Sequence, residues 1–337
     1  MNRKSKALLW TVIGLVCLWA ILSETGILIP FGEKGRVIRE LAAALREYYT
    51  IPDSAEKMAE LVKRNYSSGK YSMDITRELL WKSINDDLHS VCDDEHLLFV
   101  SSPQLVEYAR NMINNMDTYS EADSIASEED HQGIVEAKMI DSQIGYLKLD
   151  RFADTLYGKT LLLNTLDTFK NATKMIIDLC DNNGGYFEQA QILYSYFTPP
   201  DDSSLIDVCY YRYNDSTQEF WTLKGIGGKP FKREDVCILT SGMTFSAAEG
   251  FAYDMKTHGK AIIVGETTRG GGHPVQWKIL ADHYVLRVPV GRGINPVTGA
   301  DIEGKGVIPD VAVSRGEALD EALKILRGGQ NTGNSSD

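Results

Sequence analysis

The sequence predicts an α/β domain preceded by a smaller helical domain. Two observations support this: short buried runs alternate with helix-like segments in the second half, whereas residues 35–91 show the three- and four-residue apolar spacing of amphipathic helices. The strand-like runs lie at residues 144–149, 174–179, 235–240 and 261–264, and the helix-like segments lie at 156–170, 187–197 and 246–257.

Composition narrows the function classes. The 337 residues include 35 Lys and Arg against 47 Asp and Glu, a formal net charge of −12 that disfavours a nucleic-acid binder. With 43% hydrophobic and 24% charged residues, the chain has ordinary globular composition. A single sustained apolar run excludes a polytopic membrane protein.

That apolar run, at residues 7–22, follows Arg3, Lys4 and Lys6. Its length and the basic residues before it predict an N-terminal membrane anchor within residues 1–31, with the main chain outside the cytoplasm in a periplasmic or extracellular location. A cleaved signal peptide has the same features but needs small residues two apart, which do not follow Leu22. Bulky residues before Cys17 argue against lipoprotein processing.

The domain boundaries follow the changes of pattern. Residues 35–101 form the predicted helical domain, 102–131 a polar connection that includes an acidic stretch at 121–130, and 132–315 the α/β domain. Residues 316–337 form a C-terminal helix and a disordered tail, and a hairpin is expected at 277–289 inside the α/β domain.

The five cysteines show no metal-binding spacing. Cys92, Cys180, Cys209 and Cys237 are scattered, and three of them lie in apolar runs, which favours buried free thiols. An exported chain would also permit a disulfide. We expect neither a metal nor a cofactor.

One local signal for chemistry is TSGMTFSAAE at residues 240–249. A strand ends at Thr240 and a helix starts near Ser246, so the turn can expose the Ser246 hydroxyl next to helix N-terminal amides, including that of Ala247. The alternative is structural, because Ser246 followed by Glu249 also fits a capping box.

Two glycine-containing segments follow other predicted strands. DLCDNNGG at 178–185 places Gly184 and Gly185 at a strand end, where their amides could donate to an oxyanion or simply form a tight turn. GETTRGGGHP at 265–274 contains Gly270 and Gly271 but lacks the G-K-[ST] of a phosphate loop, which favours the edge of a substrate groove. Because ligands bind at one end of an α/β layer, the three loops are expected to converge.

Taken in order, these motifs resemble the tail-specific, or C-terminal-processing, serine peptidases. IGYLKLDRF at 144–152 and EGKGVIPD at 303–310 complete a set of five that covers most of residues 54–314. The resemblance implies a ClpP/crotonase-like α/β catalytic domain behind the small N-terminal helical domain. No PDZ module is expected, since too few residues separate His96 from the first strand.

The chain departs from many relatives that use a Ser–Lys dyad, because the position of the lysine falls on Gly271. It is more similar to the branch that includes the tricorn-protease core and interphotoreceptor retinoid-binding protein. That likeness implies Ser246 as nucleophile, His96 in CDDEH as general base and Glu303 as the carboxylate that orients the imidazole. Glu95 stands where tricorn has a serine, which leaves an accessory hydroxyl unassigned.

Alternatives remain for two of these roles. His273, beside the glycine run, competes with His96 as the base, and His96 could instead be a surface histidine flanked by acids. Asp301 could supply the carboxylate in place of Glu303. The amides of Gly184 or Gly185 and of Ala247 would form the oxyanion hole, with Gly270 and Gly271 lining the substrate.

The resulting hypothesis is an exported or membrane-anchored serine endopeptidase that acts on polypeptides through an acyl-enzyme. A homo-oligomer is compatible with this hypothesis. The competing hypothesis is a non-catalytic module that binds a lipid, a retinoid or a peptide on the same fold. An acyl-CoA enzyme is disfavoured by the N-terminal anchor. The presence of Ser246, His96 and Glu303 together favours the peptidase.

Overall fold

The computed structural model describes residues 13, 28–30, 32–114, 131–226 and 228–328. The chain divides into two compact units, an N-terminal unit made of Met1–Thr118 with Val275–Val290 and an α/β unit made of Tyr119–Pro274 with Gly291–Asp337. The predicted anchor segment, the acidic stretch at 121–130 and the final nine residues lie outside the described residues, apart from residue 13. None of the helices in the described ranges has both the length and the apolar character needed to cross a membrane.

In its described residues, the N-terminal unit combines four helices with a small antiparallel sheet. The helices are α1 (Glu33–Tyr48), α2 (Pro52–Ser67), α3 (Arg77–His89) and α4 (Pro103–Asn114). The strands β1 (Leu98–Val100), β9 (Val275–Leu280) and β10 (Tyr284–Pro289) are ordered β1-β10-β9. Apolar residues at three- and four-residue spacing on α1, such as Val37, Leu41 and Leu45, are fully buried, which confirms the amphipathic pattern.

The α/β unit is built on a six-stranded sheet. Its strands are β2 (Ile134–Met139), β3 (Ile144–Leu149), β4 (Lys174–Asp178), β7 (Val236–Thr240), β8 (Ile262–Gly265) and β12 (Val311–Ala312). They are ordered β12-β8-β7-β4-β3-β2, with β3, β4, β7, β8 and β12 parallel and β2 antiparallel at the edge. A second, antiparallel sheet has the order β11-β5-β6 and consists of β5 (Leu205–Tyr211), β6 (Ser216–Trp221) and β11 (Gly291–Ile294).

Both faces of the six-stranded sheet are covered, as strand alternation requires. Ile177 and Ile238 point into the larger core with helices α5 (Thr155–Asp167), α6 (Phe187–Tyr196) and α7 (Ala247–Thr257). Their strand neighbours Ile176 and Leu239 join the opposite core against α8 (Ala318–Leu326). Apolar runs buried on both faces explain why β4 and β7 read as continuous hydrophobic segments.

The structure differs from the predicted organisation at the hairpin. Residues 275–290 belong to the N-terminal unit because β10 pairs with β1, with Phe99 opposite Leu286. The region predicted as a polar connection contains α4, whose Val106 and Ala109 pack against Val285. Both differences arise from pairing between residues that are distant in sequence.

The cysteines of the described ranges are free, as predicted. Cys180, Cys209 and Cys237 are buried, and burial raises the pKa of Cys209 to about 11 and that of Cys237 to about 12. Thiols with such pKa values carry little thiolate and are unreactive. Cys17 lies outside the described residues.

Candidate active site

Ser246 occupies the turn between β7 and α7. It is the N-cap residue of α7, and its backbone has φ 57° and ψ −125°. L residues rarely adopt this conformation, which costs about 1–3 kcal/mol and persists only where the surroundings enforce it. The residue is half-buried. A strained serine at a strand-to-helix turn presents its hydroxyl at the carboxyl edge of the sheet, which is the placement a nucleophile requires.

The loop after the neighbouring strand β4 holds this turn in place. The Phe245 N–H donates to the carbonyl of Asn182 at 3.0 Å, and the Thr244 hydroxyl donates to the carbonyl of Leu179 at 2.8 Å. Strands β4 and β7 are parallel neighbours, so the loops that follow them meet at one edge of the sheet. The predicted convergence of these two loops is confirmed.

Gly184 packs directly against the serine. Its φ of 96° favours glycine, and a Cβ added there would lie 2.6 Å from the Ser246 Cβ and 3.1 Å from the Ala247 nitrogen. The Gly184 N–H donates to Oδ1 of Asn182 at 2.9 Å. Because that amide is engaged, Gly185 is the better candidate for pairing with Ala247 as an oxyanion donor.

The glycine-rich segment is held from inside the unit. The N–H groups of Gly270 and Gly271 donate to the carboxylate of Glu249 at 2.6 and 2.7 Å, and the Gly270 carbonyl accepts the N–H of Gly304 at 2.9 Å. The two amides therefore serve the fold. Contact of these glycines with a substrate stays a prediction. Atoms other than the two N–H groups would have to make that contact.

Glu303 lies beside the imidazole of His273 within the α/β unit. Its Oε2 accepts the Gly272 N–H at 2.7 Å and lies 3.5 Å from Nδ1 of His273, which is buried. Asp301 instead forms a long ion pair, 3.9 Å, with Lys305. Glu303 is therefore the carboxylate neighbour of His273, and the choice between Glu303 and Asp301 as the partner of His96 stays a prediction.

His96 belongs to the N-terminal unit, where its loop is held by three side chains. Its N–H donates to Oδ1 of Asp94 at 3.0 Å, and Arg287 on β10 donates to the carbonyls of His96 at 2.8 Å and Glu95 at 3.0 Å. The Tyr49 hydroxyl donates to Oδ2 of Asp94 at 3.1 Å, and burial raises the pKa of Tyr49 so that it keeps its proton. His96 is only 4% exposed, which overturns the alternative of a surface histidine.

Sequence reasoning missed two features of these loops. Glu249 was recognised as a partner of Ser246 in a capping box, and its carboxylate does accept the Ser246 N–H at 2.8 Å, but its bonds to the glycine segment had no local signal. Arg287 likewise reaches the His96 loop from a strand far along the chain.

The fold and the serine turn define a class of α/β proteins that present a serine hydroxyl at the carboxyl edge of a parallel sheet. Residues 143–313 match the family described as Peptidase family S41, and residues 25–139 match the N-terminal domain of Peptidase_S41 in eukaryotic IRBP. The chain belongs to peptidase family S41. The predicted family resemblance and the ClpP/crotonase-like fold class are confirmed.

The relatives of this chain include the carboxyl-terminal-processing peptidase 2 of Arabidopsis thaliana chloroplasts, which is 26% identical over 181 residues. That alignment covers 53% of this chain and 33% of the plant protein, so the chain spans about a third of the relative. Among solved structures, the photosystem II D1 C-terminal processing protease shares the fold with a TM-score of 0.57, 16% identity and coverage of 90% of this chain and 98% of that chain. The tricorn protease matches with a TM-score of 0.52, 13% identity and coverage of 87% and 35%.

Proposed function

We propose that this chain is a serine endopeptidase that hydrolyses polypeptides through an acyl-enzyme on Ser246. The observation that carries the proposal is the strained serine turn, packed against Gly184 and followed by the Ala247 amide at the start of α7. Backbone donors at a helix N-terminus stabilise the oxyanion of acyl transfer and contribute about 2.7–4 kcal/mol each. Membership of peptidase family S41 supports the same reaction class.

In the proposed mechanism the Ser246 oxygen attacks the peptide carbonyl carbon while its proton passes to His96. The carbonyl oxygen gains negative charge and is met by the amides of Gly185 and Ala247. The proton then passes to the leaving amine as the carbon–nitrogen bond breaks. Water, deprotonated by the same imidazole, cleaves the ester, releases the carboxylic acid and restores the serine.

His96 is proposed as the base because its loop is fixed at several points. Asp94 and Arg287 bond its backbone N–H and carbonyl, which orders the position from which the ring projects. Residues 25–139, which include His96, match the N-terminal domain of Peptidase_S41 in eukaryotic IRBP, which supports treating this unit as part of the S41 architecture. Glu303 is proposed as the carboxylate that orients the His96 ring. His273 is the alternative candidate for the base.

The direct test of the proposed function is digestion of an unfolded polypeptide by the full chain. We expect internal peptide bonds to be cleaved and the products to start with free amines, in a reaction that Ser246→Ala abolishes. A folded chain that binds the polypeptide, a lipid or a retinoid but leaves all peptide bonds intact would instead support the non-catalytic module.

Replacement of Gly184 by alanine is expected to lower kcat/KM at least about 100-fold, because the new Cβ would displace the serine turn and an ångström of misplacement costs that much. Gly225→Ala is the matched control, since Gly225 has a similar φ of 74° but nothing within 4 Å of an added Cβ. Steady-state kinetics with thermal melts measure both variants. Equal losses of activity in the two variants would show that backbone strain alone, rather than contact with the serine turn, is responsible.

We also propose that residues 7–22 anchor the protein in a membrane with both units outside the cytoplasm. Exposed apolar side chains lie where the chain enters the N-terminal unit: the Ile29 N–H donates to the Ile75 carbonyl at 2.9 Å, Ile75 is 53% exposed, and Met73 is 80% exposed. Exposed apolar side chains near Ile29, which follows the apolar run in sequence, suit the surface of a lipid bilayer.

The double substitution Leu15→Arg and Leu18→Arg is expected to release most of the full chain from membranes, because each arginine costs about 2.5–3.5 kcal/mol at the centre of a spanning helix. Leu156→Arg with Leu161→Arg adds the same charge at exposed positions of α5 and should leave retention unchanged. Alkaline carbonate extraction followed by immunoblotting measures the retained fraction. Full retention of the first variant would exclude the anchor.

A further inference from the structure

Glu249 is a buried carboxylate in the first turn of α7, with an exposure of 0%. Four donors meet its two oxygens. Oε1 accepts the Thr268 hydroxyl at 2.5 Å and the Gly270 N–H at 2.6 Å, and Oε2 accepts the Ser246 N–H at 2.8 Å and the Gly271 N–H at 2.7 Å. One side chain therefore bonds both the backbone of the proposed nucleophile and the glycine-rich segment.

We propose that Glu249 is a positioning residue that locks the strained Ser246 turn to the glycine-rich segment and so fixes the direction of the serine hydroxyl. This inference rests on the proposed peptidase function for its catalytic consequence. Glu249 does not touch the reacting atoms in this scheme. It acts through Ser246 and through the segment that carries Gly270 and Gly271.

The hydrogen-bond network around Glu249 extends beyond Ser246 and the two glycines that it bonds. The next amide of the segment, Gly272, donates to Glu303, so three consecutive glycine N–H groups are bound by two carboxylates. The Thr268 hydroxyl that donates to Glu249 also accepts the Val307 N–H at 2.7 Å. The segment is thereby held between α7 on one side and the loop of Glu303 on the other.

The chemistry of the site requires a carboxylate. A carboxylate offers two acceptor oxygens, whereas the glutamine side chain replaces one of them by an NH₂ donor. With glutamine at position 249, two of the four donors would face another donor. Without the bond from its N–H to the Glu249 carboxylate, the Ser246 backbone can relax from a conformation that costs about 1–3 kcal/mol. We therefore expect the hydroxyl to lose its alignment while the rest of α7 stays folded.

Glu249→Gln tests the inference, with Asp141→Asn as the matched control. Asp141 also accepts two backbone amides in the α/β unit, those of Gln143 and Ile144, but it lies in the loop between β2 and β3, outside both the serine turn and the glycine-rich segment. In the full chain, Glu249→Gln is expected to reduce kcat and the rate of fluorophosphonate labelling of Ser246 in parallel by about 100-fold, with KM changed less than about threefold. Asp141→Asn should keep both rates.

Hydrogen–deuterium exchange gives a readout that does not depend on activity. Peptides covering residues 244–249 and 268–273 should exchange faster in Glu249→Gln than in wild type, and Asp141→Asn should leave them protected. If Glu249→Gln fails to fold, Glu249→Asp, which keeps both acceptor oxygens on a side chain one methylene shorter, replaces it and should show the same changes at smaller size.

Wild-type labelling and turnover in a folded Glu249→Gln chain would overturn the inference, as would losses of activity that match the loss of folded protein in both Glu249→Gln and Glu249→Asp. Unchanged exchange in the two peptides would show that the lock does not exist. A wild-type chain that neither labels nor hydrolyses peptides would remove the proposed function itself. The exchange experiment would still decide whether Glu249 holds the two segments together.

Discussion

Ser246→Ala is expected to abolish peptide hydrolysis, with kcat reduced by about 10⁴-fold or more, while the thermal midpoint changes little. Alanine keeps the Cβ against which Gly184 packs, and the Ser246 N–H that Glu249 accepts belongs to the backbone. Only the hydroxyl is lost, so the substitution should remove catalysis without unfolding the protein. Steady-state hydrolysis of an unfolded polypeptide and a thermal melt measure the two effects.

Ser241 provides the control for this variant. It lies in the same turn, but its buried hydroxyl donates to the carbonyl of Cys180 at 2.6 Å and accepts the Met243 N–H at 3.0 Å. Ser241→Ala should therefore destabilise the fold by about 1–3 kcal/mol and keep the specific activity of the folded molecules. Residual hydrolysis at the wild-type rate by Ser246→Ala would disprove the mechanism.

The second large effect is expected at His96. His96→Ala should reduce kcat at least about 10³-fold, because no other group would then accept the serine proton and return it to the leaving amine. His273→Ala should reduce kcat less than about tenfold, since in this scheme His273 only neighbours Glu303, with its Nδ1 3.5 Å from the carboxylate. Parallel kinetics of the two purified variants, checked for folding by circular dichroism, decide between them.

The pH dependence of kcat/KM also distinguishes His96 from His273 as the base. An imidazole base makes kcat/KM rise as the ring loses its proton, so this limb of the profile should disappear in the residual activity of His96→Ala and persist in His273→Ala. The reverse pattern would assign the base to His273.

Much of the α/β unit was predictable because its signals are local. The strand at Ile144–Leu149 was predicted with its observed bounds, and β4, β7 and β8 were predicted to within about a residue, since runs buried on both faces are continuous in sequence. The two-residue parallel strand β12 was not predicted. Half-exposed strands such as β5, where Asp207 interrupts the apolar pattern, were missed. The hairpin predicted at residues 277–289 is observed as β9 and β10, with β9 starting two residues earlier at Val275. Its unit was not predicted, because only pairing with β1 assigns it.

The candidate active site likewise contains local features that the sequence predicts and long-range contacts that it does not. The serine turn and the glycine pair were predictable because a strand end, small residues and a helix start are adjacent in sequence. The bonds of Glu249 to Gly270 and Gly271, and those of Arg287 to the His96 loop, depend on tertiary folding. A side chain whose partners lie more than 20 residues away leaves no pattern at its own position.

The most direct test of the account is reaction of the folded full chain with a fluorophosphonate, read by intact mass and peptide mapping. The reagent bonds covalently only to a serine that is activated as a nucleophile. The account predicts a single adduct on Ser246 that is lost in both Ser246→Ala and His96→Ala and retained in His273→Ala. Absence of any adduct from the folded protein, or an adduct on a different serine, would contradict it.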